Sequence, residues 1–380
     1  MRSLSVMSNV PEARAWIEID TGALRSNYRA VRRAVGSAAA MIPMVKADGY
    51  GLGAARVVRA LDPLEPWGYG VATADEGAAL RASGVRRPVI VVSPLSPQAL
   101  ECAATAGLTA SISDIASLAR WSALADEHGP LDFHVEIDTG MGRAGFDWRE
   151  TGEWAGAAKA IAGSRVRWTG AFTHFHGADA GDSTATETQW RRFQDALAQL
   201  PVSRDALMVH ACNSAAALRW PEYAADAVRP GIFLYGGNPL AAVDASSPPE
   251  PVASVRARLV LVRRVAPGST VGYGATHVAR AWERWGTVAI GYGDGWPRAL
   301  GNSGSALVAG RRVPIVGRIS MDMIVVDITA LPEVEAGDVV TLIGRDGGNE
   351  ITVDEVAAQA DTISYEVLTG FTPRLPRVER

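Results

Sequence analysis

"AMIPMVKADGYGLGAARVVRALD", residues 40–62, holds both the repeating unit of the fold and its most informative side chain. Residues 40–45 form an apolar run of strand length. Lys46 ends the run, a glycine-rich loop carries Tyr50, and "GAARVVRALD" follows with the spacing of a helix that buries one face. The unit recurs: "WGYGVAT" precedes "DEGAALRASG", "RPVIVVS" precedes "SPQALECAATAG", and "TASIS" precedes "DIASLARWSALADEHG". "LDFHVEID", "VRWTGAFTHF", "ALMVHA" and "IFLYG" continue the strand series. These runs are apolar throughout rather than alternating, as parallel strands covered by helices require. At least seven such units between about residues 14 and 236 predict an α/β fold, a (β/α)8 TIM-like barrel rather than an open sheet. No G-x-G-x-x-G opens the first strand–helix turn, which argues against a dinucleotide-binding domain. In a barrel the C-terminal strand ends carry the chemistry, and Lys46 stands at one.

Beyond the barrel, residues 236–254, "GGNPLAAVDASSPPEPVAS", read as a domain junction. The β-branched runs that follow, such as "SVRARLVLVRRV" and "RRVPIVGRISMDMIVVDI", carry turn signals and few helical patterns. The expected division is a barrel over 13–248 and a mainly-β domain over 249–380. Residues 1–12 read as a frayed tail, with Met7 as an alternative start. The 380 residues are 48% hydrophobic and 21% charged with a formal net charge of −4, and the basic residues are spread along the chain. That composition speaks against a nucleic-acid or membrane-surface partner and for a small molecule. No stretch approaches ~18 apolar residues, and the N-terminus lacks a signal-like apolar core. The two cysteines, Cys102 and Cys212, lie in separate elements and support neither a disulfide framework nor a zinc site. A cytoplasmic setting is expected.

A lysine in a barrel mouth is useful when desolvation lowers its pKa and frees the amine to condense with an aldehyde. Alone, Lys46 is better explained by a lysine snorkelling from a strand end. Gly49, Gly51 and the Tyr50 hydroxyl add a surface that a ligand could approach. Near the barrel's end, "ACNSAAALR" (211–219) puts Ser214 where a strand hands over to a helix, and "VRPGIFLYG" (228–236) adds the Gly231 and Ile232 amides. The loops after the last two strands are the usual phosphate cradle of such barrels, although a helix cap explains Ser214 equally well. A reactive lysine and a phosphate cradle together suggest pyridoxal 5'-phosphate. Arg229 then matters, because arginine is always charged and has only donors. Beside the pyridine nitrogen it would keep that nitrogen unprotonated and make the ring a weaker electron sink, which suits simple removal and return of a proton.

At this point the chain resembles the alanine racemases, a fold-type III family of pyridoxal phosphate enzymes. The resemblance runs from "AWIEID" to "TISYEV" through "VKADGYG", "DTGMGRAGF", "THF", "HACNSAA", "VRPGIFLYG", "GYGATH", "AIGYGDGWPR" and "VGRISMDM". It implies racemisation of alanine by two bases in a head-to-tail homodimer with shared active sites, serving D-alanine supply for the cell wall. Lys46 would carry the cofactor and act on one face of the substrate, with Tyr273 of the other subunit on the opposite face. His174 would lie behind the cofactor, hydrogen-bonded to Arg229. Tyr50, Ser214, Gly231, Ile232 and Tyr365 would contact the phosphate, and Arg143 the cofactor hydroxyl and the substrate carboxylate. Met321 and Tyr292 would line the substrate site, with Asp322 beside the tyrosine. Two bases must straddle the Cα–H bond, and both a lysine and a tyrosine, with reference pKa values near ~10, need help from burial or nearby cations such as Arg143.

Three positions depart from the family. Glu136 stands where a lysine, often carbamylated, is frequent; its shorter carboxylate would supply the negative charge for Arg143 directly or through a water or small anion, and no carbamylated lysine is expected there. Ser320 occupies a position where cysteine is common, and Leu52 one where histidine is. "THFHG" also allows another class of enzyme, a metal-dependent hydrolase using His174 and His176 with Asp138 or Asp179. A decarboxylase of the same fold type would want a carboxylate where Arg229 stands, and a carrier without catalysis would have no use for Tyr273. A broad-specificity or serine racemase stays open, since a methylene or hydroxyl is discriminated by only ~1–3 kcal/mol.

Overall fold

The computed structural model describes residues 12–240 and 247–380. Expectations for the N-terminal tail and for the middle of the Gly/Pro/Ser junction fall largely outside the described residues. The chain forms two compact units, one spanning Gly22–Glu250 and the other joining the residues up to Thr21 with Pro251–Arg380.

In the first unit, parallel strands pair in the order Ala40–Met41, Ala227–Val228, Met208–His210, Val166–Phe172, Leu131–Asp138, Thr109–Ile112, Val89–Val91 and Tyr69–Val71. The sheet curls back on itself: Gly70 N donates to Pro43 O (3.0 Å) and Val45 N to Gly70 O (2.8 Å). The expected barrel is thus borne out. Its short strands are buried on both faces, since helices cover the outside and side chains fill the inside. The helices start where the local chemistry supplies caps. Thr73 and Glu76 form a capping box for Ala74–Ala82, Asp114 caps Ile115–His128, and Asn213 caps Ser214–Arg219.

Two expected strands differ. Of "AMIPMV" only Ala40–Met41 is a regular strand, because Pro43 has no N–H to give the ladder. "IFLYG" is not a strand: Ile232–Tyr235 forms a buried 3₁₀ turn after Ala227–Val228. A four-residue apolar run does not reveal its own period.

In the second unit the long strand Ala253–Val265 is the hub. It pairs antiparallel with Val339–Asp346, Glu283–Val288 and Ala15–Ile19, and Arg377–Glu379 runs parallel to Ala15–Ile19. Burial alternates along its first half, as a half-exposed sheet requires. Ala15–Ile19, counted with the barrel on sequence, belongs to this sheet: Ala15, Trp16, Ile17 and Ile19 are buried, and its last three residues are paired on both edges.

Candidate active site

Lys46 ends the Pro43–Val45 segment, and the chain then enters a left-handed turn. Ala47, Asp48, Gly49, Tyr50 and Gly51 all have positive φ, between 51° and 81°. Each non-glycine residue held there costs about 1–2 kcal/mol, so the turn must be held by its surroundings. The turn brings Tyr50 back over the barrel. Its ring stacks on Tyr235 (centroids 4.3 Å apart), whose hydroxyl donates to Met44 O (2.7 Å). Burial lowers the Lys46 pKa, Arg143 and Arg229 push the same way, and Glu76 opposes them.

The cradle residues converge in this same unit. Asn213, not Ser214, is the helix cap. The Ser214 hydroxyl is left out of capping and instead accepts from Gly231 N (2.8 Å) and Phe233 N (3.5 Å). With both N–H groups on its oxygen, its own hydrogen is left to donate. A Cβ at Gly231 would collide with the Tyr50 hydroxyl, so glycine here keeps that hydroxyl close to the cradle. The Ser214 hydroxyl, with its hydrogen left to donate, and the Tyr50 hydroxyl beside Gly231 suit a phosphate.

Arg229 is buried and caged. Its Nη1 donates to His210 O (3.0 Å) and His210 Nδ1 (2.7 Å); its Nη2 donates to Thr173 O (2.8 Å), Ala211 O (3.1 Å) and His174 Nδ1 (3.3 Å). Its Nε–H has no acceptor among the described residues, which leaves a donor for a ring nitrogen. Burial lowers its pKa to about 10, and it remains a cation at neutral pH. Because arginine only donates, His210 Nδ1 must accept, and His210 Nε2–H then donates to His134 Nδ1 at 2.9 Å. All three histidines are therefore neutral. Burial first, and Arg229 second, push His134 and His174 down to about 3, and His210 falls well below its ordinary value.

Glu136 is buried on Leu131–Asp138, with Ser113 Oγ 3.5 Å from its carboxylate. Burial raises its pKa while Arg229 and Arg143 oppose the rise. His174 and His176 do not act as a pair: His174 faces Arg229, whereas His176 is exposed. No group of three metal-ligating side chains forms among the described residues.

In the second unit the expected residues are solvent-facing. Tyr273, in the turn Tyr273–Ala275, is 71% exposed, and Met321, Tyr292 and Tyr365 are exposed too. The Arg318 guanidinium lies beside this turn, 3.1 Å from where a Cβ on Gly274 would sit. Asp322 pairs with Arg374 (2.7 Å), which also reaches the buried Asp294 (3.3 Å), itself paired with Arg14 (2.6 Å). The Ser320 hydroxyl donates to Met323 O (2.7 Å).

Sequence models of the alanine racemase N-terminal and C-terminal domains match residues 19–239 and 252–379. The chain belongs to the alanine racemase family. Alanine racemase 2 of Bacillus subtilis is 38% identical over 371 residues, covering 95% of this chain and 93% of that protein. The alanine racemase of Halothermothrix orenii is 35% identical over 364 residues, covering 95% and 96%. Among solved structures, the alanine racemase of E. faecalis superposes with a TM-score of 0.91 at 35% identity, covering 97% of this chain and 98% of that one. That of Bacillus anthracis with bound L-Ala-P gives 0.90 at 30% identity, covering 98% and 96%. That of Bartonella henselae with covalently bound pyridoxal phosphate gives 0.88 at 29%, covering 97% and 100%. The family resemblance carried by the sequence motifs is thereby borne out.

Membership of the family does not exhaust the site. His210 opens the motif "HACNSAA", but its pairing with His134 carries no signal in the sequence pattern, because residues 76 positions apart leave no local mark. One indirect signal exists: Gly170 pairs with His134 across the sheet, and a Cβ there would lie 2.5 Å from the imidazole.

Proposed function

We propose that this chain interconverts L- and D-alanine using pyridoxal 5'-phosphate. The observation that carries the proposal is the caged Arg229, a buried cation with one donor to spare, in the same unit as a lysine whose amine is desolvated. Relatives over nearly the full chain are alanine racemases, and one such structure holds covalent pyridoxal phosphate. When bound, pyridoxal phosphate supplies an aldehyde for amines and a ring that draws electrons from the substrate Cα.

The chain's own residues divide the remaining work. Lys46 tethers the cofactor and moves a proton on one face of Cα. Tyr50, Ser214, Gly231, Ile232 and Tyr365 hold the phosphate. Arg229 would donate Nε–H to the ring nitrogen and, keeping its proton at neutral pH, would leave that nitrogen unprotonated, which disfavours side reactions. His174, neutral, flanks the ring. Arg143 orients the substrate carboxylate, and Glu136 supplies the negative charge that steadies Arg143, directly or through a water or anion. Lysine occurs only at positions 46 and 159 of the chain, so mass spectrometry is expected to find no carbamylated lysine at this site.

Tyr273 is the base for the opposite face. Its exposure supports its delivery to the barrel of a second copy in a head-to-tail homodimer, with Met321, Tyr292 and Asp322 lining the substrate side. Supply of D-alanine to the cell wall from the cytoplasm is the role this activity would serve. Chiral analysis of a panel of L-amino acids, incubated with purified protein and pyridoxal phosphate, tests the proposal. L-alanine is expected to approach equal D and L ahead of the others. Serine turnover as fast as alanine would overturn the assignment of the pocket, and no conversion of any amino acid would overturn the activity.

A further inference from the structure

The turn that follows Lys46 is left-handed for five residues, three of them not glycine, and its first two residues are held differently. Asp48, the second residue, is tied to the start of the next helix: its Oδ1 accepts from Ala54 N (2.8 Å), and Gly53 N donates to its carbonyl (2.8 Å). The near end, at the residue after the lysine, is held from a different loop. Ala47 N donates to Glu76 Oε1 at 2.6 Å. The other oxygen, Oε2, accepts from Ala72 N (2.8 Å) and Thr73 N (3.2 Å), in the loop after Tyr69–Val71.

An ordinary capping box uses its glutamate only on the cap residue of its own helix. Here one carboxylate gathers three backbone N–H groups from two successive strand–helix loops. Only a group that accepts on both sides fits, because a glutamine must aim its NH₂ at one of these donors. The same carboxylate is the negative charge that faces Lys46, against the cations Arg143 and Arg229.

We propose that Glu76 is a positioning residue for Lys46: its carboxylate pins the left-handed turn at Ala47 and so presents the lysine amine from a fixed backbone beside a fixed negative charge. The role rests on the function proposed above. Two readouts on the full-length chain test it. Amide hydrogen exchange on peptides covering residues 46–54 is expected to speed up about tenfold or more in E76A and E76Q, with peptides of the second unit unchanged. Capture of pyridoxal phosphate by borohydride, mapped to Lys46 with the exposed Lys159 as internal reference, is expected to shift its pH midpoint to lower pH in E76Q, because a charge that favours the protonated amine is gone. E76Q keeps the shape and one acceptor, so it stays informative if E76A fails to fold. Unchanged exchange at Ala47 together with an unchanged midpoint would overturn the proposal and leave Glu76 a plain helix cap. Absence of capture at Lys46 in the wild type would instead overturn the proposed function, and with it the role of Glu76, whatever the exchange data showed.

Discussion

The two units treat their candidate residues in opposite ways. The barrel buries Arg229, Ser214 and Glu136 and fixes them with hydrogen bonds before any ligand arrives. The β-rich unit leaves Tyr273, Tyr292, Met321 and Tyr365 facing solvent. Indeed, every large hydrophobic side chain found exposed among the described residues lies in that second unit. The barrel's candidate residues are thus preorganised within one chain, whereas Tyr273, the proposed second base, sits on a surface that another surface would have to cover before it could work in a water-poor site.

That contrast can be broken by substitution on either side. Lys46→Ala should have the largest effect. Racemisation is expected to fall by about 10³-fold or more, with borohydride capture at position 46 lost and the fold intact. Substantial residual turnover would move the chemistry away from the barrel. Tyr273→Phe comes next, with an expected loss of about 10²–10⁴-fold. Because the ring is exposed in a single chain, its stability should stay within about 0.5 kcal/mol of wild type. A large drop in melting temperature would show that Tyr273 packs rather than reacts.

Gly170→Ala probes the preorganised side through packing alone. A methyl group 2.5 Å from the His134 ring forces the buried imidazole chain to move, at an expected cost of about 1–3 kcal/mol measured by denaturant unfolding. The pH dependence of stability sharpens the same point. His134 and His174 titrate near 3 when folded, against an ordinary value of 6.5, so below 6.5 the unfolded chain takes up protons that the folded chain refuses. The stability they contribute is fully present above pH 6.5 and is lost as pH falls toward about 3, by up to about 1.4 kcal/mol per pH unit for each histidine. The raised Glu136 works the other way in a window just above its ordinary 4.5, where the unfolded chain ionises first. Stability that does not decline between pH 6.5 and 4.5 would contradict the neutral histidine cage.

Much of this is legible in sequence, and what is not has a physical reason. Lys46, Tyr50, Ser214, Gly231 and Arg229 lie at strand ends within recognisable local patterns, and the structure gathers them in one unit. The imidazole chain stays hidden because a buried neutral histidine looks like any core residue until its partner is known. Glu76 stays hidden because its capping-box pattern has a complete local explanation. The strand Ala15–Ile19 is assigned to the wrong neighbours on sequence because apolar runs do not say which sheet they join. One composition signal is plainly available. Of 37 basic Lys and Arg residues only Lys46 and Lys159 are lysines, so a lysine at a strand end stands out against a background of arginine.

Mixing two inactive variants tests most directly whether each active site joins the two units of different chains. Lys46→Ala and Tyr273→Phe proteins are purified separately, mixed in equal amounts, and given time to exchange subunits, with exchange followed by native mass spectrometry. In a mixed dimer one site combines an intact Lys46 with an intact Tyr273 from the other chain. About one quarter of wild-type alanine racemisation should therefore return, since half of the dimers are mixed and half of their sites intact. No recovery despite demonstrated exchange would contradict the account and return Tyr273 to its own chain.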